Sequence, residues 1–343
     1  MNRIYNIAIY AADTLAGETL VRQLEEPFLN GMLNGMPPPV ISLYPLVESG
    51  QVSGAVEFHG ETLEFIPADE ADFSVTDILV MPAGCDRNAE LISRAVESGC
   101  AIIDASKGAA SRGYTVPVMV NLNKHFIEEA MDNRYFAVPG SAVACLLPLL
   151  QRLHQRFTLS GINLVVMQPV AALGQKGVDA LRKQTIELLN GKPVEHGDFS
   201  ARLAYNLIPE VDAGEGDVIG HEANIRNELL LALGEELDIR LTAITAPVFF
   251  GDSFVIDLDT VQPVDIQEIP SLLSELTEIS VADGSGLPTL EDAAGSDQLH
   301  IGKIRQQSVY QTDLSFWMVA DSFRRGSIHT VELIGLLIND FAE

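Results

Sequence analysis

The sequence predicts a two-domain α/β protein that opens on a nucleotide-binding βαβ unit. Three observations carry this. The chain has 343 residues, 47% of them apolar, enough for two cores. Residues 4–10 are a β-rich apolar run, followed by the small-residue stretch Ala11-Ala12-Asp13-Thr14-Leu15-Ala16-Gly17 and a helical pattern at 18–24. That strand, tight turn and helix are the opening of such a unit. Pro139-Gly140-Ser141 then breaks the pattern ahead of a long apolar helix at about 143–157, which places the domain boundary there.

The first half carries further strand-like runs at 40–43, 56–58, 63–66 and 78–81, a helix at 88–97, a buried strand at 101–104 and a closing strand at 135–138. The second half begins with a strand at 162–167. Helices follow at 178–189 and 221–233, strands at 239–245 and 254–258, and a helix at 266–279. Residues 283–298, rich in Gly, Pro, Ser and Asp, read as a long surface loop. A strand at 314–320 and an amphipathic helix at 330–341 close the chain. No internal repeat or low-complexity tract is visible.

With 21 Lys plus Arg against 48 Asp plus Glu, the net charge is −27. A surface this negative repels phosphate backbones and anionic lipids, so nucleic-acid and membrane-surface binding are excluded as expectations. The three cysteines are odd in number and show no CxxC spacing, which argues for a reducing compartment and against a disulfide framework or zinc knuckle. The N-terminal apolar run is too short for a signal peptide and no 18 apolar residues run together, so the cytoplasm is the expected location. The seven histidines match no metal spacing, and no metal is expected.

Eight segments in fixed order resemble the aspartate-semialdehyde dehydrogenases. They are Leu15-Ala16-Gly17-Glu18-Thr19; Met81-Pro82-Ala83-Gly84; Pro139-Gly140-Ser141; Gln168-Pro169-Val170 with Gly174 and Gly177; and Leu203-Ala204-Tyr205-Asn206-Leu207-Ile208-Pro209. The remaining three are Ala246-Pro247-Val248-Phe249 with Gly251-Asp252-Ser253; Ile301-Gly302-Lys303-Ile304-Arg305; and Asp321-Ser322-Phe323-Arg324-Arg325-Gly326. The resemblance implies a Rossmann-like nucleotide-binding domain plus an α+β dimerisation or catalytic-type domain with a mixed sheet, the final helix returning to the first domain. The domains would be 1–138 with 326–343, and 139–325. A homodimer is implied as well.

The family's reaction starts with a cysteine thiolate, which suits acyl chemistry because it ionises near neutral pH and leaves well. Ser141 stands at that position, and a serine hydroxyl needs a neighbouring base to become a nucleophile. Ser141 reads equally as the cap of the helix it precedes. Cys145, four residues on, reads as a buried, inert thiol or as a displaced nucleophile. Asp252 replaces the family's basic His, and Gly251-Asp252-Ser253 also reads as a turn with an exposed carboxylate. Thr245 replaces the Arg that grips the substrate carboxylate, a loss of planar bidentate recognition. Glu222 and Gln168 are retained, while Asn224 replaces a Lys. Glu222 also fits as a charge in the first turn of its helix.

For the cofactor, the resemblance points to Asp13, Thr14, Gly17, Gly174 and Ser322. Of the family's turn glycines only Gly17 survives; Asp13 adds negative charge where phosphates would sit, and Ser322 replaces a cofactor-contacting Asn. No Lys or Arg lies between Arg22 and Arg87, which disfavours the 2′-phosphate of NADP, and no acidic residue for NAD closes a second strand at 40–43. No cofactor is assigned; NAD and NADP are the ones the resemblance implies. The expectation is a homodimeric binding or regulatory protein that has lost the NADP-dependent phosphorylating oxidation of aspartate semialdehyde. The alternative is an oxidoreductase acting on a small semialdehyde with NAD or NADP, by a shifted mechanism, in amino-acid biosynthesis.

Overall fold

The computed structural model describes residues 3–25, 39–50, 53–86, 88–110, 116–120, 122–209, 220–283 and 286–341. The chain divides into two compact units, Met1–Ser141 with Gly326–Glu343, and Ala142–Arg325.

The first unit contains β1 (Ile4–Ile9), α1 (Leu15–Glu25), β2 (Val40–Val47), β3 (Ala55–Phe58), β4 (Glu61–Glu64), β5 (Ile66–Pro67), β6 (Ile78–Met81), α2 (Ala89–Glu97), β7 (Ala101–Asp104), α3 (Lys124–Asn133) and β8 (Tyr135–Ala137). Its six-stranded sheet runs β5-β2-β1-β6-β7-β8 with every pair parallel, while β3 and β4 form a separate hairpin. This is the doubly wound order of a Rossmann-like domain. Both faces are covered, as a parallel sheet requires. Ile7, Ile9, Ile78, Val80 and Ile103 pack with Leu20, Val21 and Leu24 of α1. The alternate positions Ala8, Tyr10, Leu79, Met81 and Ile102 pack with Leu91, Ile92 and Ala95 of α2. Asn88 caps α2, its side-chain oxygen accepting from the Leu91 N–H at 3.0 Å.

After α4 (Ser141–Phe157), the second unit contains β9 (Leu159–Gln168), α5 (Gln175–Leu189), β10 (Ile208–Pro209), α6 (His221–Leu233), β11 (Asp238–Thr245), β12 (Asp252–Thr260), α7 (Ile269–Leu273), β13 (Ile279–Val281), α8 (Leu290–Ala293), β14 (Leu299–Arg305) and β15 (Asp313–Ala320); α9 (Ser322–Asp340) ends the chain. Seven strands form a mixed sheet, β10-β11-β9-β12-β15-β14-β13. One face is closed by Ile162, Leu164, Val166, Phe254, Ile256, Phe316 and Met318, all buried. On the other, a cross-strand row of Thr242, Val165, Val255 and Trp317 is only half-buried or exposed. The last helix supplies Val331, Leu333, Ile334, Leu337 and Ile338 to the core of the first unit.

Several expectations need correction. The second strand runs four residues past Leu43 to Val47, because Tyr44 and Pro45 continue the ladder with Ala8 and Ile9. It is therefore closed by Glu48, the acidic residue that a strand ending at Leu43 lacked. The helix expected at 266–279 is only a 3-10 turn at Ile266–Glu268 and the short α7, since residues 279–281 pair with β14 instead. The loop at 283–298 holds one helical turn, α8, closed by a capping box in which Thr289 and Asp292 satisfy each other's backbone N–H. The final helix starts at Ser322 rather than 330, with Asp321 Oδ1 accepting from the Arg324 N–H at 3.2 Å. The sequence reading missed α3 and the strand β14. Among the described residues, no helix is long and apolar enough to cross a membrane.

Candidate functional site

Strand register gathers several predicted positions at one end of the second unit's sheet. Gln168 ends β9 and Thr245 ends β11, and the two are ladder partners. Ser253 of β12 faces Met167, and Asp252, one step further, faces Ala320 of β15. Gln168, Thr245 and Asp252 therefore end three adjacent strands, and the chain leaves β15 there through Asp321 and Ser322.

Asp252 is not the exposed turn residue expected from Gly251-Asp252-Ser253. It is the first residue of β12 and 2% exposed. The ladder to β15 starts at this residue, which draws it into the sheet interior. The turn is confined to Gly251, whose φ of 85° suits glycine and whose Cβ, if present, would lie 2.9 Å from a Leu290 methyl. The Asp252 carboxyl accepts a short hydrogen bond from the Ser322 hydroxyl. Burial raises its pKa to about 7; the Ser322 bond opposes the shift and the Asp321 carboxylate adds to it. Among the described residues no Lys, Arg or His forms an ion pair with it.

Cys145 lies one turn into α4 and is fully buried. Burial first, then the Asp252 charge, pushes its thiol well above the ordinary range, so it stays protonated and unreactive. Arg325, which the sequence places in a motif but gives no role at the site, lowers that thiol's pKa only in part. Its guanidinium lies 3.8 Å from Glu278 and donates to the Asp297 carbonyl at 3.3 Å. No spacing in the sequence links Arg325 to Glu278.

Ser141 is the first helical residue of α4 rather than the cap before it. In the same unit, Gly326 packs on it so closely that a Cβ there would lie 3.2 Å from Ser141 Oγ.

In the first turn, the Thr14 hydroxyl donates to the Ala11 carbonyl at 2.7 Å and accepts from the Gly17 N–H at 3.2 Å. One helix N-terminal donor is thereby used internally. A Cβ on Gly17 would meet the Ala11 carbonyl oxygen at 2.3 Å. The surviving glycine thus answers to helix–strand packing. Asp13 is exposed at the crest of the turn. Gly174, with φ 76°, joins a 3-10 turn to α5, and an added Cβ would meet open space.

Glu222 on α6 accepts from the Ala243 N–H at 2.8 Å, and Arg226, one turn on, donates to the Ile239 carbonyl at 3.2 Å. Both backbone groups lie on β11 beyond its pairing with Ile208 and Pro209, and the two side chains satisfy main-chain groups along that strand. Asn224 donates to the buried Glu228 at 2.9 Å. Among the described residues, no three His, Cys, Asp or Glu side chains group to hold a metal ion.

A family model described as "Semialdehyde dehydrogenase, dimerisation domain" matches residues 150–325. The chain is 30% identical to a "USG-1 protein homolog" of Pseudomonas aeruginosa, over 98% of each. It is 27% identical to an aspartate-semialdehyde dehydrogenase of a Shewanella species, over 99% of this chain and all of that one. It also superposes on the crystal structure of aspartate semialdehyde dehydrogenase II from Vibrio cholerae, complexed with ASA. The TM-score is 0.87 at 26% identity, with 99% of this chain and 100% of that chain covered.

Proposed function

The chain belongs to the semialdehyde dehydrogenase family, and on that premise we propose that it is an aspartate-semialdehyde dehydrogenase-like protein that has given up the family's phosphorylating oxidation and acts as a homodimeric binding or regulatory protein. The observation that carries this reading is the Asp252–Ser322 hydrogen bond. By resemblance these two positions belong to the family's base and to a cofactor-contacting amide. Here each occupies the other, and both side chains are buried.

The remaining positions support it. Ser141 supplies a hydroxyl where a thiolate is needed, and the thiol of Cys145 is buried and protonated. Thr245 offers no guanidinium for a substrate carboxylate. Glu222 is engaged by the backbone of β11.

The first turn fits a dinucleotide poorly. Thr14 already holds the Gly17 N–H, Asp13 places a carboxylate at the crest, and Ser322 is tied to Asp252. Glu48 at the end of β2 opposes the 2′-phosphate of NADP and is compatible with the ribose of NAD. No step is therefore routed through a nicotinamide. The half-open row of Thr242, Val165, Val255 and Trp317, within the segment matched by the dimerisation-domain model, supports pairing with a second copy.

One observation favours a second reading, catalysis by a shifted mechanism: a carboxyl titrating at about 7 has the basicity of a general base. A single experiment separates the two. Purified protein is offered aspartate semialdehyde with NAD or NADP, with phosphate present, and reduced nucleotide is followed by absorbance. No turnover above a heat-killed control is expected. Turnover that Ser141→Ala abolishes would establish the enzyme and overturn the proposal.

A further inference from the structure

Asp252 sits where three elements meet in the second unit. β15 lies beside it through Ala320, α4 contributes Cys145, and α9 contributes Ser322. The charged and titratable groups that act on it or on its neighbour are the Cys145 thiol from α4, the Asp321 carboxylate ahead of α9, and, through Cys145, Arg325 from the first turn of α9. Arg325 is engaged by Glu278 and the Asp297 carbonyl. Gln168, ending the neighbouring strand β9, is neutral, as is Leu290 of α8 against Gly251.

We propose that Asp252 is a proton-operated switch on the start of α9: neutral, it stays buried against Ser322, and ionised, it drives the first turn of that helix to open to water.

The physical basis is a contest of three effects. The N-terminus of α9 and the Ser322 hydroxyl both favour a negative carboxylate. Burial at 2% exposure, with Asp321 alongside and no cation paired among the described residues, opposes it. Burial wins, since the group titrates at about 7 rather than in the ordinary carboxylate range. An open first turn would hydrate the carboxylate and return it to about 4.

The sign follows by linkage. The closed state binds a proton that the open state releases between about pH 4 and pH 7, so opening becomes up to about tenfold more favourable per pH unit across that window. Below it the carboxyl is neutral in both states, and above it ionised in both, so opening levels off. The switch depends on the placement of these side chains and stands or falls separately from the loss of catalysis.

The test is amide hydrogen exchange of residues 323–326, corrected for intrinsic rates, from pH 5 to 8 on the full-length protein. Opening is expected to rise by about 40- to 50-fold between pH 5 and 7 and to level off above 7, and the rise should vanish in Asp252→Asn. Equal pH dependence in wild type and variant overturns the proposal. Should Asp252→Asn not fold, the carboxyl carbon resonance of Asp252 in carbon-13-labelled wild type decides. A titration midpoint at or above 6 supports the switch, and one below 6 overturns it.

Discussion

The Ser322 hydroxyl donates to the Asp252 carboxyl across 70 residues of chain, joining the first residue of the last helix to the first residue of a central strand. Neither side chain reaches solvent to any extent, with Asp252 2% and Ser322 3% exposed. A carboxyl buried in this way, with a hydroxyl as its partner among the described residues, is held neutral over much of the range in which an exposed one ionises.

Global stability should record this. The folded pKa of Asp252 lies above the unfolded one, so its penalty is absent below about pH 4, grows with rising pH and is complete above about 7. Asp252→Asn is expected to match wild type near pH 4 and to exceed it at pH 8, by about 4 kcal/mol at most. Urea denaturation at the two pH values measures the difference; a variant less stable at pH 8 than at pH 4, relative to wild type, would reverse the assignment.

Gly17→Ala should be destabilising although alanine is the better helix former. Its Cβ would meet the Ala11 carbonyl oxygen at 2.3 Å, and the helix must shift to admit it. A loss of about 1–3 kcal/mol is expected, seen as a lower melting temperature. An unchanged melting temperature would show that the turn can relax and that packing does not demand the glycine.

Nucleotides should raise the melting temperature little, with NAD ahead of NADP. A ligand that binds only the folded state must stabilise it. Glu48 closes β2, and repulsion between its carboxylate and a 2′-phosphate sets the order. A large, saturable shift with NADP would contradict both the order and the reading of the first turn.

Glu222→Ala should cost about 1–3 kcal/mol, because it strips the Ala243 N–H of its acceptor. Glu222→Gln, which keeps an acceptor, should cost less. Amide exchange at Ala243 reads the contact directly. If Glu222→Ala leaves both stability and exchange unchanged, the side chain does not hold that N–H and a ligand role regains ground.

Val255→Arg should weaken self-association. Val255 lies mid-row between Val165 and Trp317 on the half-open sheet face, where a desolvated arginine would have no partner. Sedimentation velocity is expected to show a dimer for wild type and a shift to monomer for the variant. An unchanged sedimentation coefficient would move the contact to another surface.

Much of the fold was readable because its signals are local. The periodicity of 221–233 is that of α6 residue for residue, and the apolar runs at 78–81 and 101–104 are β6 and β7. Failures came where a partner distant in sequence decided the outcome. The helical pattern expected at 266–279 runs into Ile279, but pairing with β14 makes Ile279 the start of a strand. The early start of α9 carries a local signal, Asp321 as a cap, that was overlooked. At the site, residue identities were legible but their surroundings were not. Glu222 showed its charge in the sequence but not the Ala243 N–H on β11 from which it accepts.

By itself the sequence determined which atoms stand at each position: oxygen rather than sulfur at Ser141, a carboxyl rather than an imidazole at Asp252, and a hydroxyl at Ser322. It also determined that Ile7 and Ile9 face one side and Ala8 and Tyr10 the other, because alternation along a strand is a property of the backbone. Only the tertiary structure decided that Asp252 is buried and holds its proton up to about pH 7 rather than being exposed and ionised from about pH 4, since the protonation of a carboxyl depends on the water and charges around it. Those neighbours, Cys145, Asp321 and Ser322, come from segments that meet only when the sheet and its helices have formed.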